Sequence, residues 1–265
     1  MSNRQQRRLR QKSQSEPSRE QTEKGSQVSR RVFLGVAGLA GIVAATYGIR
    51  ELVRAPTYEE ALFDPSKRQA YAKSLLQNKP TYADIQYMPQ ELLAKLKEEG
   101  YELPFGAFAS TVPHERDPLR IGTKSTIILT TECFDTVYQQ VQPAWHDMGL
   151  IIQNIIQNHE RRHADHFYRG ITEYKQEEFM NGKKEFNDLL FIAVSELLAH
   201  QEEYRELKRI VNEATTPFLN HYMSQMSLLM APQYRELHNP EVICDMDPAF
   251  IKRLQQELAP QLLLK

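Results

Sequence analysis

Hydrophobic and polar positions divide the chain into one uninterrupted apolar run near the N-terminus and a series of amphipathic segments after it. The run, Val32 to Ile49, carries no charge over 18 residues, about the least that spans a bilayer as a helix. Residues 57 to 79 follow a helical pattern. Thr57 is the N-cap, Glu59 and Glu60 lie in the first turn, and Leu62, Phe63, Tyr71, Leu75 and Leu76 are the packing positions. Pro80 closes that segment, and Met88 to Glu99 predicts a further helix stopped at Gly100. The texture changes over residues 101 to 131, where two β-rich runs occur, the better one from Thr126 to Thr131. Helical spacing then returns over 143–169, 184–214, 216–231 and 248–264, with a polar stretch at 171–182 broken by Asn181 and Gly182. The fold class is therefore mainly α, formally α+β, with a small β element before the first long helix. No Pro/Gly/Ser linker divides residues 51–265, so the pattern predicts one domain there.

The helix over 143–169 runs from Pro143 to a natural stop at Gly170. At about 100° per residue, His159, His163 and His166 share a face with Ile152, Ile155, Ile156 and Phe167. Gln157, Asn158, Asp165 and Arg169 fill the polar side. Three histidines thus lie on the buried face, where each imidazole needs a partner. The stripe of the helix over 184–214 reads Leu189, Ile192/Ala193, Glu196, His200, Glu203/Tyr204, Leu207 and Ile210/Val211. Residues 189–199 are apolar nearly all round, which predicts a central helix. Glu196, His200 and Glu203 interrupt its apolar stripe, and a buried carboxylate without a partner costs several kcal/mol or is neutralised. A metal ion would satisfy it.

His159-Glu160-Arg161-Arg162-His163 resembles the HExxH helix of zinc metallopeptidases, and with Glu196 on a later helix it resembles the gluzincin type. The likeness covers about 45 residues and implies a zincin-like helical domain. Carried over by position, His159, His163 and Glu196 are zinc ligands and Glu160 is the general base. His200, Glu203 and His166 are alternatives for ligation or for supporting the ligands. Tyr204, His221 and Tyr222 are candidates for donating to a developing oxyanion. The family's arrangement also implies that the strand over 124–131 presents an edge to an extended peptide. The chain departs from the pattern at Arg161 and Arg162, positions that are uncharged in most such helices.

Two other readings compete. Glu160-x-x-His163 also fits half of a di-iron carboxylate bundle, but Glu196 and His200 are four residues apart and do not supply the second half. A membrane-anchored helical metal-binding or interaction domain without catalysis would keep the histidines as structural groups.

With 265 residues, 41% hydrophobic, the chain has material for one sizeable core, and its net charge of −1 offers no electrostatic case for nucleic acid. Charge is uneven, however. Residues 1–28 are basic and nearly devoid of apolar side chains, which predicts a disordered tail. Ser29-Arg30-Arg31-Val32-Phe33-Leu34 and the Gly-rich apolar run behind it resemble a twin-arginine export signal. Residues 29–50 are thus a signal or anchor through which residues 32–49 meet the membrane. This arrangement places the domain on the extracytoplasmic, periplasmic side of the cytoplasmic membrane, with a peptide or protein as substrate. Cys133 and Cys244 could pair there.

Overall fold

The structure is a computed structural model in which residues 54–89, 91–92, 94, 107–115, 121–135, 145–182, 185–213 and 217–259 are described. Nearly all of these belong to one compact unit formed by Glu51–Gln90 and Leu103–Lys265. The basic tail, the apolar run 32–49, most of the helix expected over 88–99 and the break expected at Pro260 lie outside the described residues. Among the described residues no helix is long and apolar enough to cross a membrane. The fold is mainly helical with one small sheet.

Helix α1, Tyr58–Phe63, starts as the sequence requires. Thr57 Oγ1 accepts from the Glu60 amide at 3.2 Å, and Glu60 Oε2 accepts from the Thr57 amide at 2.8 Å. This reciprocal pair satisfies two donors that a helix start otherwise leaves open. A 3-10 turn, Pro65–Lys67, leads into α2, Arg68–Leu75, which buries Tyr71, Ala72 and Leu75. Phe63, expected to pack, is instead 60% exposed and meets Trp145 edge-on at 4.9 Å between ring centroids.

The sheet has the order β1-β3-β2, with β1 at Ala83–Tyr87, β2 at Ala109–Pro113 and β3 at Ser125–Leu129. β1 runs parallel to β3, pairing Ala83 with Ser125, while β2 runs antiparallel to it, pairing Thr111 with Ile127. β3 is buried at all five positions, in keeping with its β-branched composition. β1 has no comparable signal in the sequence. Ala-Asp-Ile-Gln-Tyr holds a single β-branched residue, and its strand state comes from pairing with β3. The substrate-edge role expected of residues 124–131 is corrected here, because both edges of β3 are taken by neighbours. β2 pairs on one side only among the described residues.

The long helix over the histidines is built of three consecutive pieces: α3 (Trp145–Asn154), a π turn (Ile155–Glu160) and α4 (Arg161–Arg169). The π turn is closed by the Arg161 amide donating to the Ile156 carbonyl, five residues back. Gly170, at φ 78°, ends α4 with its amide on the His166 carbonyl at 2.9 Å, in the left-handed region that glycine tolerates.

Helix α5, Asp188–Glu213, packs against that helix and against α6, Pro217–Glu236. The core takes Leu190, Phe191, Val194, Leu197 and Leu207 from α5, and Leu219, Met226 and Met230 from α6. The apolar stripe expected to be buried begins one residue off: Leu189 and Ile192 are 63% and 45% exposed. Short α7 (Pro240–Ile243) and α8 (Pro248–Glu257) finish the described chain, each opened by an Asn or Asp cap. Cys133 is buried and Cys244 exposed, and both are free thiols.

Candidate metal centre

The π turn and α4 hold His159, Glu160, His163 and His166, all buried, and the three histidines face α5. His159 and His163 are four residues apart, and their Nε2 atoms lie 3.1 Å from each other. From α5, Glu196 Oε2 lies 3.5 Å from each of those nitrogens. The triangle so formed has the dimensions a metal needs: with bonds of about 2.0–2.1 Å and tetrahedral angles, neighbouring donors sit roughly 3.3 Å apart. A wider set, His159, Glu196 and His200, offers one donor each within 4.8 Å of one another, with His200 Nε2 at 4.0 Å from Glu196 Oε2. In the tighter triangle two nitrogens and one oxygen approach the spacing of a coordination shell. The set His159, Glu196 and His200 can hold a metal ion.

Each of these rings is held from behind. His163 Nδ1 lies 2.8 Å from Ser195 Oγ, and His166 Nδ1 lies 2.7 Å from the same oxygen. A serine hydroxyl has one hydrogen, so it donates to one ring and accepts from the other. If His163 gives its Nε2 lone pair to a metal, its Nδ1 carries the hydrogen, and Ser195 must donate to His166. On the other side Glu203 Oε2 lies 3.2 Å from His159 Nδ1 and 3.3 Å from His200 Nδ1. Its second oxygen accepts from the Tyr222 hydroxyl at 2.9 Å.

The electrostatics follow from this crowding. Burial works against charge on His159, but contact with Glu196 and Glu203 outweighs it and raises the imidazole well above its ordinary value. Burial likewise opposes the charge of Glu196, yet His163 and His159 hold its carboxyl well below the usual range. Against burial, the neighbouring His159 and the hydrogen-bonded His200 pull Glu203 down to about 2. His166 has no such partner: burial, with the neighbouring His163, pushes it down to about 2. His159, Glu196 and Glu203 therefore favour one another's charged forms, while His166 is a neutral ring.

Glu160 points elsewhere. Thr111 Oγ1, on β2, lies 2.7 Å from Glu160 Oε2 and 2.9 Å from the Glu160 carbonyl. The carboxylate is thereby anchored beside β2, which is unpaired on one side among the described residues. The two arginines between Glu160 and His163 are accommodated at the protein's rim: Arg162 pairs with Glu173, and Arg161 Nη1 lies 3.5 Å from the Gln77 carbonyl.

Of the candidate residues, His159, His163, Glu196, His200 and Glu203 are brought into one cluster. His166 joins it only through Ser195. Tyr222 reaches the cluster with its hydroxyl donated to Glu203, His221 is exposed on α6, and Tyr204 is half-buried against the core. Two residues in contact with the candidate site were not anticipated. Ser195 left a faint signal, a hydroxyl placed next to Glu196 within an apolar helix. Thr111 left none, because its role depends on how β2 lies against the π turn. The chain matches no protein family, no curated protein and no solved structure.

Proposed function

We propose that this protein is a zinc-dependent peptidase in which His159, His163 and Glu196 hold the metal and Glu160 is the general base. The observation that carries the reading is the triangle of two Nε2 atoms and one carboxylate oxygen at 3.1, 3.5 and 3.5 Å, with a second carboxylate adjacent in sequence to the first histidine. When bound, zinc polarises a carbonyl and lowers the pKa of a coordinated water. Glu160 accepts the proton from the attacking water and returns it to the leaving amine. Thr111, by hydrogen bonding one carboxylate oxygen, sets the direction of the other. An extended peptide adds to the side of β2 that is unpaired among the described residues, antiparallel or parallel, so that its backbone passes Glu160. Export through the paired arginines Arg30 and Arg31 places the domain outside the cytoplasm, anchored through residues 32–49.

A second reading, a non-catalytic metal-binding domain, draws on a different observation: His200 Nε2 stands only 4.0 Å from Glu196 Oε2, and four protein donors around one tetrahedral ion leave no position for water. Glu160→Gln separates the two. The peptidase reading expects a folded protein with undiminished metal and no hydrolysis of a casein or peptide-library substrate that the wild type cleaves. Retained cleavage by that variant, or no cleavage by the metal-loaded wild type, would remove it.

A further inference from the structure

Accepting the cluster as a metal centre, we infer that His200 is a fourth protein donor and that Glu203 is the positioning residue presenting both His159 and His200 to the metal. Glu203 Oε2 stands 3.2 Å from His159 Nδ1 and 3.3 Å from His200 Nδ1. An ionised carboxylate only accepts: His200 Nδ1 carries its hydrogen toward it, while His159 Nδ1 stands at ion-pair distance from the same oxygen without hydrogen-bond geometry. In a neutral His200 the lone pair then lies on Nε2, and the anion beside His159 Nδ1 favours the same tautomer in that ring. Those two lone pairs turn toward one oxygen: Glu196 Oε2 is 3.5 Å from His159 Nε2 and 4.0 Å from His200 Nε2. The rings themselves are 4.4 Å apart between centroids.

Glu203 is built to hold this position. It is 1% exposed, its other oxygen accepts from Tyr222 at 2.9 Å, and its carbonyl accepts from Asn154 Nδ2 at 3.0 Å. A hydrogen bond from one histidine would be enough to stabilise a packed carboxylate. One carboxylate shared by two rings, whose remaining nitrogens converge on a third residue, is what orienting two ligands requires. The donor set becomes three imidazole nitrogens and one carboxylate oxygen, which suits zinc, iron, cobalt, nickel or copper and disfavours magnesium and calcium. A fifth position on a five-coordinate ion still admits water, so the inference is compatible with hydrolysis and independent of it.

The test uses the full chain loaded with Co(II) alone and with zinc. X-ray absorption at the zinc edge of the wild type is expected to count three imidazoles; two would overturn the assignment, without any variant being made. His200→Ala is expected to weaken Co(II) binding by about 10- to 100-fold and to alter the visible cobalt bands, with added imidazole restoring the wild-type spectrum. Glu203→Gln is expected to weaken binding by a similar factor while the count of imidazoles stays at three. A His200→Ala protein with wild-type Co(II) affinity and an unchanged spectrum would overturn the inference. Failure of the peptidase reading shows separately, as absent cleavage by a protein whose absorption edge still counts three imidazoles.

Discussion

Replacing Ser195 by alanine removes a single oxygen on which two buried rings depend. Ser195 is 2% exposed, His166 is 2% exposed and His163 is 7% exposed, so water cannot replace the hydroxyl without rearrangement. Losing it leaves one nitrogen on each ring unpaired, at about 1–3 kcal/mol per group. Alanine is the better helix former by roughly 0.5 kcal/mol, an effect of opposite sign. The net expectation is a loss of roughly 2–5 kcal/mol in the metal-free protein. Metal affinity should fall as well, by about 10- to 100-fold, because His163 loses the partner that fixes its ring and leaves Nε2 free for the ion. Urea unfolding in the presence of chelator reads the first quantity, and zinc competition against a chromophoric chelator reads the second. The cycle with His166→Ala adds a control: the two substitutions share one hydrogen bond, so their costs should fall short of additive by about 1 kcal/mol. A Ser195→Ala protein within about 0.5 kcal/mol of wild type and with undiminished zinc affinity would refute the reasoning.

Three further outcomes are expected. Thr111→Val should keep bound metal at the wild-type level but lower kcat, with KM nearly unchanged, since it frees the Glu160 carboxylate without touching a ligand; equal kcat in steady-state assays would disprove the anchoring role. His166, depressed to about 2 from an ordinary 6.5, is neutral when folded and protonated when unfolded between those values, so stability is lost as pH falls below 6.5. In the metal-free protein that loss is about 1.4 kcal/mol per pH unit, and His166→Gln should remove it between pH 6.5 and 4.5, as read from denaturation midpoints; an unchanged slope would contradict the burial of a neutral ring. Replacing Arg30 and Arg31 by Lys should leave the protein cytoplasmic on fractionation, and unchanged export would refute the twin-arginine route.

The parts of the site that follow from local spacing were legible in the sequence. His159 and His163 one turn apart, Gly170 as a stop, Thr57 with Glu60 as a cap, and Glu196 interrupting an apolar stripe all express rules that act within a few residues. What escaped depends on contacts between distant segments. β1 becomes a strand only by pairing with β3 some forty residues on. β3 reads as the exposed substrate strand until β2 is seen to cover its second side. The π turn is invisible to a wheel drawn at a constant angle per residue, yet it lies over His159 and Glu160. The burial of α5 shows the same limit: Leu189 and Ile192 look like core residues by type, while the buried face is the one carrying Leu190, Phe191 and Val194. Composition names the apolar residues of a helix, but only its neighbours decide which of them lose water.

The most direct test of the central claim is the metal content of the full chain, purified without chelator and measured by elemental analysis beside its His163→Ala variant. The account predicts one zinc per wild-type chain and well under one in the variant, because His163 supplies one corner of the 3.1 and 3.5 Å triangle. A folded wild-type protein that holds no stoichiometric metal, and takes up none on titration, would contradict it.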